Sequence, residues 1–411
     1  MEVLYPICCG MDVHKKTVVA CLLTQQGARV RKEVRTFGTT TGELLAMRQW
    51  LLEGGCAHTA MESTGIYWKP IFNVLEGHLS VLLVNAQHIK AVPGRKSDVM
   101  DCEWIAQLLR HGLLRGSFVP DARIRELRDL TRYRTKLTQQ QSSVANRIQK
   151  VLEDANIKMG SVASDVLGKS GLAMIEAIIE GVTDAQALSE LAQGRLKSKK
   201  GLLKEALEGR VTDHHRFLLR ELLDQFKYLE QAISRASQQI EEKSRPFEDA
   251  VRRLDTLPGV DRVTAEKFIA EIGVEMSQFP TDHQLASWAG MCPGNNESAG
   301  KHKSGKTRKG SRWLRSALTE AAWAASRTKK TYLKARYHRL AARRGKKRAL
   351  VAVGHTLLVM AYHILREGTT YRELGEGFFD RLHAQRLTNR LVKKLESLGH
   401  KVTLEPCSAA G

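Results

Sequence analysis

The spacing of hydrophobic and polar positions first predicts strands. Between residues 4 and 90, CCGMDVHKKTVVACLLT is rich in β-branched residues and predicts a strand, a short turn and a second strand, and VRKEVRTFG predicts a third. Two further apolar runs, AHTAMEST and SVLLVNA, flank the helix candidate GIYWKPIFNVLE. From Asp101, the segment DCEWIAQLLRHGLL follows a helical period. We therefore predict an α/β domain over residues 1–120.

Apolar positions three and four residues apart dominate the next region, residues 121–250. One heptad seam comprises Leu219, Leu222, Phe226, Leu229, Ile233, Ala236 and Ile240. An earlier seam, with polar interruptions at Arg134 and Gln141, comprises Leu127, Leu130, Leu137, Val144, Ile148 and Val151. The pattern predicts a helical, coiled-coil region. It fits two helices that pack within one chain as well as a coil between two copies.

A third, mainly α-helical domain is predicted over residues 251–365. LDTLPGVDRVTAEKFIAEIG resembles a helix-hairpin-helix motif, whose turn aims backbone N–H groups at a phosphate and whose second helix would start near Val263. Asp261 replaces the usual second glycine, so an ordinary turn between packed helices is a close alternative. RWLRSALTEAAWAAS and RALVAVGHTLLVMAYHIL predict two more helices, and the tail, residues 366–411, carries no clear signal.

The distribution of charge adds a partner to this picture. The formal net charge is +21, and residues 299–348 contain 18 Lys and Arg residues against a single acid, Glu320. A short lysine tract usually indicates only a solvated face. Here the basic block holds most of the excess charge and alternates with aromatic side chains, so it indicates a polyanion partner. The aromatic residues in the block are Trp313, Trp323, Tyr332 and Tyr337.

The cysteines and the apolar runs limit the classes of protein to which the chain can belong. The seven cysteines are scattered without paired spacing, which argues against a disulfide framework and against a zinc site. No apolar run approaches the length of a membrane span, and the N-terminus lacks the pattern of a secretion signal. We expect a soluble protein of a reducing cytoplasm.

Four acids stand where metal chemistry requires them. Asp12 ends the first predicted strand in GMDVHKK, and Glu62 ends the fourth in MESTG. Asp98 and Asp101 lie three residues apart at a helix start in KSDVMDCEWIA, so they can share one helical face. At one edge of a sheet, such carboxylates can hold two Mg²⁺ ions for an in-line phosphoryl displacement. Singly, each acid also has an ordinary explanation, such as a turn residue or a helix N-cap.

The order of these acids matches a RuvC-like nuclease of the ribonuclease-H fold. It also partly matches actin-like and sugar-kinase ATPases, but those need later glycine-rich phosphate loops that the chain lacks. Residues 300–307 fit the pattern G-x-x-x-x-G-K-[ST], yet they follow turn-forming residues rather than a buried strand. We interpret this segment as a flexible basic loop over nucleic-acid phosphate.

Ser298 lies in the same basic region, in NNESAGKHKSGKTRKG. A serine hydroxyl attacks well only when a base, a metal ion or positive charge stabilises its oxyanion. A covalent serine–phosphate link to DNA would preserve the energy of the phosphodiester for rejoining without ATP. A serine in a polar loop is more often merely solvated, so the residues by themselves leave both interpretations open.

The motifs taken together resemble a known family. GMDVHKK, MESTGIYWKP, KSDVMDCEWIAQLL, RDLTRYR, LDTLPGVDRVTA and LASWAGMCPGNNESAGKHKSGKTRKGSRWLRSAL are similar to the DEDD transposases of insertion sequence family 110, subgroup 1111. The resemblance extends over residues 5–365. It implies a RuvC-like N-terminal domain, a coiled-coil middle and a C-terminal transposase domain that carries a serine nucleophile.

The resemblance also assigns site residues. The four metal carboxylates fall on Asp12, Glu62, Asp98 and Asp101, and the nucleophile falls on Ser298. Many members have Ser-Gly at that point, whereas here Ala299 intervenes and Ser304-Gly305 supplies the dipeptide later. Ser304 is therefore the alternative nucleophile.

The family further implies guidance by a bridge RNA that pairs with donor and target DNA. We accordingly predict an oligomeric, Mg²⁺-dependent and RNA-guided serine transposase, a dimer or tetramer that binds DNA through its basic region. The nucleic-acid-binding residues are predicted to be Lys301, Lys303, Lys306, Arg308, Lys309, Arg312 and Arg315. Two alternatives stay open: a RuvC-like nuclease that uses metal-bound water, and a non-catalytic DNA-architectural protein.

Overall fold

The chain divides into two compact units, Met1–Val119 and Pro120–Gly411. The computed structural model describes residues 2–27, 29–85, 101–294, 296–298, 301–304, 306–382 and 384–404. For residues 296–298, 301–304 and 385–387 the description covers the backbone. Each unit has hydrophobic cores of its own.

The first unit is built on a five-stranded sheet. Its elements are β1 (Ile7–Val13), β2 (Thr17–Gln26), β3 (Arg29–Gly38), α1 (Thr41–Glu53), β4 (His58–Glu62), α2 (Trp68–Leu75), β5 (Ser80–Val84) and α3 (Asp101–Arg110). The strand order is β3-β2-β1-β4-β5. β1, β2 and β3 pair antiparallel, whereas β4 and β5 continue the sheet in parallel with β1. The predicted mixed α/β fold is confirmed, and α1 is a helix that the sequence analysis did not assign.

The two faces of the sheet carry different cores. Met11 of β1 belongs to a core with residues of α1 and α2, whereas Cys8 of β1 belongs to a second core with residues of α3. Because side chains alternate along a strand, Gly10 and Asp12 lie on the same face as Cys8. Asp12 is therefore on the face of the sheet that α3 covers.

Helix α3 packs very closely on β1, and Gly10 makes this possible. A Cβ atom at Gly10 would lie 2.2 Å from the carbonyl oxygen of Cys102 and 2.3 Å from the backbone nitrogen of Ala106. At the opposite end, the backbone N–H of Leu4 donates to the carbonyl of Arg110 over 2.9 Å. The helix thus runs antiparallel to β1, and its first residues lie at the carboxyl end of that strand.

The second unit is mainly helical. Its α-helices are α4 (Ala122–Asp154), α5 (Met159–Val162), α6 (Lys169–Ile179), α7 (Ala185–Glu190), α8 (Lys200–Leu207), α9 (Asp213–Ser244), α10 (Glu248–Asp255), α11 (Arg262–Ile272), α12 (Asp282–Trp288), α13 (Arg312–Ala325), α14 (Tyr332–Arg344), α15 (Lys346–Glu367), α16 (Phe378–Leu382) and α17 (Ala384–Ser397). Short 3₁₀ segments cover Gly194–Lys199, Arg245–Phe247 and Met276–Gln278. A hairpin of β6 (Asn296–Ser298) and β7 (Lys301–Ser304) precedes α13.

The two long helices α4 and α9 pack against each other within the chain. Leu137 and Ile148 of α4 and Leu219 and Leu229 of α9 are buried in one shared core. Both predicted apolar seams therefore find a partner inside this unit.

The polar interruption of the first seam has a structural reason. Arg134 is buried, and its Nη2 donates to Glu266 of α11 over 3.0 Å. Two residues earlier, Arg132 donates from Nε and Nη2 to the buried carboxylate of Glu271, over 2.6 and 2.8 Å. Because buried charges must be paired, the RDLTRYR motif joins α4 to α11.

The LPGV turn between α10 and α11 packs against α13. Gly259 has a φ of 82°, and a Cβ there would lie 2.4 Å from the carbonyl oxygen of Ala321. Asp261 caps α11 by accepting from the backbone N–H of Thr264 over 2.9 Å. The second helix begins at Arg262, one residue before the predicted start. Phosphate binding at this turn stays a prediction.

Helix α15 corrects one expectation about apolar runs. Among the described residues, it is long and apolar enough to span a membrane by length and composition, although the sequence analysis found no such run. Its side chains Val353, Leu357 and Leu358 are buried, and the helix packs against α12, α13 and α14. These contacts are typical of the core helix of a globular unit.

The tail packs on the start of α14. Phe379 stacks on the ring of Tyr332 at a centroid distance of 5.2 Å, and Phe378 meets the same ring edge-on at 5.1 Å. The Glu373 carboxylate accepts from the backbone N–H of Tyr332 over 2.7 Å. The segment that carried no clear sequence signal thus contributes aromatic side chains to this unit.

Candidate active site

Asp12 and Glu62 end two neighbouring parallel strands. Gly10 of β1 is paired with Ala60 of β4, and both lie on the face that α3 covers. Two residues further along, Asp12 and Glu62 reach the same face at the same level. Their backbones are therefore separated by about the 5 Å that divides adjacent strands.

Asp101 lies at the same end of the sheet because α3 begins there. The pKa of the next residue, Cys102, depends on the groups around the start of α3. A hydrogen bond with the Cys21 thiol lowers the pKa of Cys102, and the negative charge of Asp12 opposes that change. Such an electrostatic influence places the Asp12 carboxylate close to the start of α3.

Three of the four predicted acids, Asp12, Glu62 and Asp101, therefore lie at the same end of the sheet. The fourth, Asp98, lies outside the described residues. In the described part of the chain, no group of three or more His, Cys, Asp or Glu side chains surrounds a common point that would hold a metal ion. Carboxylate oxygens are nevertheless the donors that divalent hard cations prefer. The donor chemistry fits such an ion, although the described side chains do not close around one.

His14 is a neighbour of this site that the sequence analysis did not consider. Its Nε2 donates to Oδ2 of Asp12 over 3.1 Å, and the Asp12 side chain retains 22% of its exposure. The signal was present in the DVH spacing, because residues two apart at a strand end share one face. His14 can therefore orient the Asp12 carboxylate while leaving it open to solvent.

The two candidate serines lie at opposite ends of the β6–β7 hairpin. Ser298 is paired with Lys301 next to the turn, whereas Ser304 is paired with Asn296 at the base. The backbone of Ser298 is therefore near the tip of the hairpin. Residues 301–304, inside the segment with the P-loop pattern, form a strand of this hairpin rather than a loop that joins a strand to a helix. An ATP-binding P-loop requires the latter arrangement.

Residues 290–294 lead into the hairpin and residues 306–310 lead out of it. These two segments form a stem that is held by close backbone contacts. Pro293 and Thr307 form an isolated β-bridge. Gly290 has a φ of 68°, and a Cβ there would lie 2.7 Å from the carbonyl oxygen of Arg308. This approach is open only to glycine, so the two sides of the stem have a defined separation.

The helix after the stem is tied to the second unit's buried ion pairs. Ser311 caps α13, and its hydroxyl donates to the Glu271 carboxylate over 2.8 Å. The same carboxylate is held by Arg132. The network links α4, α11 and the start of α13, and thereby anchors one side of the stem.

The predicted nucleic-acid-binding cations follow the hairpin and its stem. Lys301 and Lys303 lie on β7. Arg315 is half-buried, with Nη1 3.5 Å from the carbonyl oxygen of Arg308, and the Arg312 guanidinium lies 4.7 Å from the centre of the Trp313 ring. The exposed cations are Lys306, Arg308, Lys309 and Arg312. This basic face presents positive charge to solvent.

Comparison with known families connects both regions to one activity. A DEDD transposase family model matches residues 9–157, and a model of the transposase IS116/IS110/IS902 family matches residues 251–338. The first match contains the sheet with its carboxylates, and the second contains the hairpin and much of the basic block. A DEDD transposase domain implies a ribonuclease-H-like fold, and the family generally depends on a divalent metal.

Similar proteins carry the same description. The chain is 27% identical over 320 residues to the "Probable family 20 transposase" of Pseudomonas aeruginosa, which covers 76% of this chain and 85% of the relative. It is 25% identical over 376 residues to the "Transposase for insertion sequence element IS1111A" of Coxiella burnetii, which covers 88% and 90%. The predicted family resemblance is confirmed. The chain belongs to the IS110 family of transposases, enzymes that cleave and rejoin DNA.

Proposed function

We propose that this transposase cuts and rejoins DNA through a serine-linked intermediate, with Ser298 as the nucleophile and two Mg²⁺ ions held by carboxylates. The proposed ligands are Asp12, Glu62, Asp98 and Asp101. The observation that supports the metal site best is the strand register, which sets the backbones of Asp12 and Glu62 side by side on the face that α3 covers.

In this proposal the carboxylates bind the metal ions, and neighbouring groups orient the carboxylates. A bound Mg²⁺ pair supplies positive charge to the attacking and leaving oxygens of an in-line displacement. Asp12 presents oxygen toward solvent and is oriented by the His14 contact. Because Glu62 ends a paired strand, its backbone position is set by the sheet rather than by a loop.

The number of phosphoester bonds stays the same in the serine step. The Oγ–P bond of Ser298 forms while the bond from phosphorus to the leaving sugar oxygen breaks; the serine proton is lost and the leaving oxygen gains one. Attack by a free sugar hydroxyl on the serine phosphoester then rejoins the DNA, so no ATP is consumed. The cations of the hairpin stabilise the serine oxyanion and the phosphate.

Position on the hairpin favours Ser298 over Ser304. A residue next to the turn can approach an extended polyanion, whereas the base of the hairpin is adjacent to the Pro293–Thr307 bridge. The backbone positions of the two serines carry this preference.

Other parts of the proposal rest on the family resemblance. They are a RuvC-like domain over residues 1–120, a coiled-coil region over 121–250, a serine-bearing domain over 251–365, guidance by a bridge RNA, and a dimer or tetramer. The described contacts bear on the coiled-coil region, because α4 and α9 bury their apolar seams against each other within one chain. The basic block offers cations to DNA and RNA alike.

The covalent intermediate is tested by trapping the protein on labelled DNA and denaturing it. We expect an adduct with wild type and with the control Ser304→Ala, none with Ser298→Ala, and at most a trace with Ser298→Cys. An adduct that disappears only in Ser304→Ala would assign the nucleophile to Ser304. Cleavage that continues without an adduct would support a nuclease that uses metal-bound water.

A further inference from the structure

A cavity of about 490 Å³ lies at the base of the hairpin stem. Met291 and Pro293 of the stem form one wall, and Val351 and Ala352 of α15 form another. The volume falls within the roughly 300–1,000 Å³ of sites that hold small organic molecules between apolar walls. The cavity therefore has room for a planar group such as a nucleobase.

Positive groups complete the lining. Arg336 of α14 and Lys347 and Arg348 at the start of α15 line the cavity, and none of its described lining residues is an acid. His355 also lines it; burial and the nearby charge of Arg336 lower the pKa of this imidazole. Apolar walls beside several cations suit a ligand that has an apolar ring system and a phosphate.

The cavity is close to the proposed nucleophile along the chain. Pro293 lines the cavity and lies five positions before Ser298, in a segment that enters β6. At about 3.3 Å per strand residue, the backbone path is at most about 17 Å. That length equals about five stacked nucleotides at 3.4 Å each. A strand that meets Ser298 can thus place a nearby nucleotide at the cavity.

We propose that this cavity takes one unpaired nucleotide of the DNA strand engaged by the hairpin. The base contacts Val351 and Ala352, and the phosphate pairs with cations including Arg336 and Arg348. A base inside a duplex is stacked and must turn out before it can enter such a pocket. The choice of DNA rests on the proposed function, which brings a DNA strand to Ser298.

The protein side of the test fills the cavity. Ala352→Trp occupies the space, and Ala324→Trp adds the same side chain at an exposed alanine of α13 as the matched control. Binding is measured by fluorescence anisotropy on a DNA duplex with one unpaired nucleotide and on its fully paired counterpart. We expect Ala352→Trp to lose about tenfold in affinity for the first DNA and less than about twofold for the second. Ala324→Trp should match wild type on both.

The DNA side keeps the test independent of folding. With wild-type protein, removal of the base from the unpaired nucleotide should cost the same tenfold, and Ala352→Trp should not distinguish the two DNAs. Equal wild-type affinity for the intact and abasic DNAs would overturn the proposal. A cavity-dependent preference seen only with the equivalent RNA would overturn the assignment to DNA. A free deoxynucleoside monophosphate that competes with wild type but not with Ala352→Trp would support the nucleotide chemistry.

In these binding measurements every protein, including the one called wild type, also carries Ser298→Ala, and no metal ions are added. Binding is then read without any cleavage step. A failure of the serine or metal mechanism would leave the base-dependent affinity intact. Absence of that affinity, when the chain with Ser298 intact still forms the covalent adduct, would overturn the cavity proposal alone.

Discussion

The carboxylate end of the sheet and the basic hairpin are built in different ways. In the sheet, backbone pairing sets the relative positions of Asp12 and Glu62, and a shift of one residue in either strand would turn its acid to the other face. On the hairpin and its stem, several cations follow one another along the chain, and no single pair must hold a fixed distance; those of the stem, Lys306, Arg308 and Lys309, are exposed. The first arrangement suits metal chemistry, and the second suits binding to a polyanion.

The two regions should therefore respond differently to mutation. A metal site fails when one ligand is lost, because the remaining ligands cannot replace its position. Polyanion affinity is a sum over contacts, so it falls in steps. The following experiments test that contrast, beginning with the largest expected effect.

The carboxylate variants should separate chemistry from binding. Asp12→Ala, Glu62→Ala and Asp101→Ala are each expected to lower DNA cleavage by at least about 100-fold, since loss even of a ligand's supporting contacts costs 10–100-fold. DNA affinity should stay within about twofold, because the cations of the basic block are unchanged. Cleavage of end-labelled DNA and gel shifts measure the two quantities.

Glu103→Gln is the matched control on the same helix. Glu103 belongs to α3 but is engaged by Lys32, whose Nζ lies 2.9 Å from Oε2, so its loss should leave cleavage unchanged. Wild-type cleavage by any of the three alanine variants would remove that residue from the metal site. A loss of cleavage in Glu103→Gln would show that the effect reports helix damage.

Neutralising the hairpin should change affinity and its salt dependence. The quadruple glutamine variant replaces Lys301, Lys303, Lys306 and Arg308. Each lost phosphate contact lowers the magnitude of the slope of log K against log salt by about 0.9, so the four together should change it by about 3.6, with an affinity loss of roughly 10–100-fold. Titrations at several salt concentrations give the slope.

A second quadruple variant controls for net charge. It replaces four exposed cations outside the basic block: Arg195, Lys197, Lys199 and Lys204. We expect its slope to match wild type. If the two variants behave alike, or if the hairpin variant keeps the wild-type slope, the main polyanion contact lies elsewhere, for example around residues 343–348.

Gly10→Ala should lower stability and cleavage together. The added Cβ would meet the backbone of Cys102 and Ala106, so α3 must move away from β1. We expect the free energy of unfolding to fall by about 1–3 kcal/mol and cleavage to fall with it, because Asp101 moves with the helix. Urea unfolding measures the first effect.

Gly42→Ala is the control for that substitution. A Cβ at Gly42, in the first turn of α1, meets nothing within 4 Å. Alanine favours the helix, so stability should rise by up to about 1 kcal/mol with cleavage unchanged. Equal stability of Gly10→Ala and wild type would contradict the close packing of α3 on β1.

Local sequence patterns predicted which segments form helices and strands better than they predicted which segments pack together. Alternating apolar residues predicted the strands of the sheet, and helical spacing predicted α3, α13 and α15. The helix α1 was not assigned, and α15 was not recognised as long enough to span a membrane. Arg134 stood out only as a polar interruption, since its partner Glu266 is 132 positions away.

For the candidate site, the residues that can do the chemistry are already visible in the sequence: acids at strand ends, a serine in a basic segment, and a motif order typical of a transposase family. These are local properties, set by side-chain chemistry and short-range periodicity. Three features required the folded chain: Asp12 and Glu62 share one level and face, Ser298 lies near a hairpin tip, and a cavity opens beneath the stem of that hairpin. Those features depend on strand register and on packing between segments that are far apart in the sequence. No local sequence pattern encodes the register or the packing.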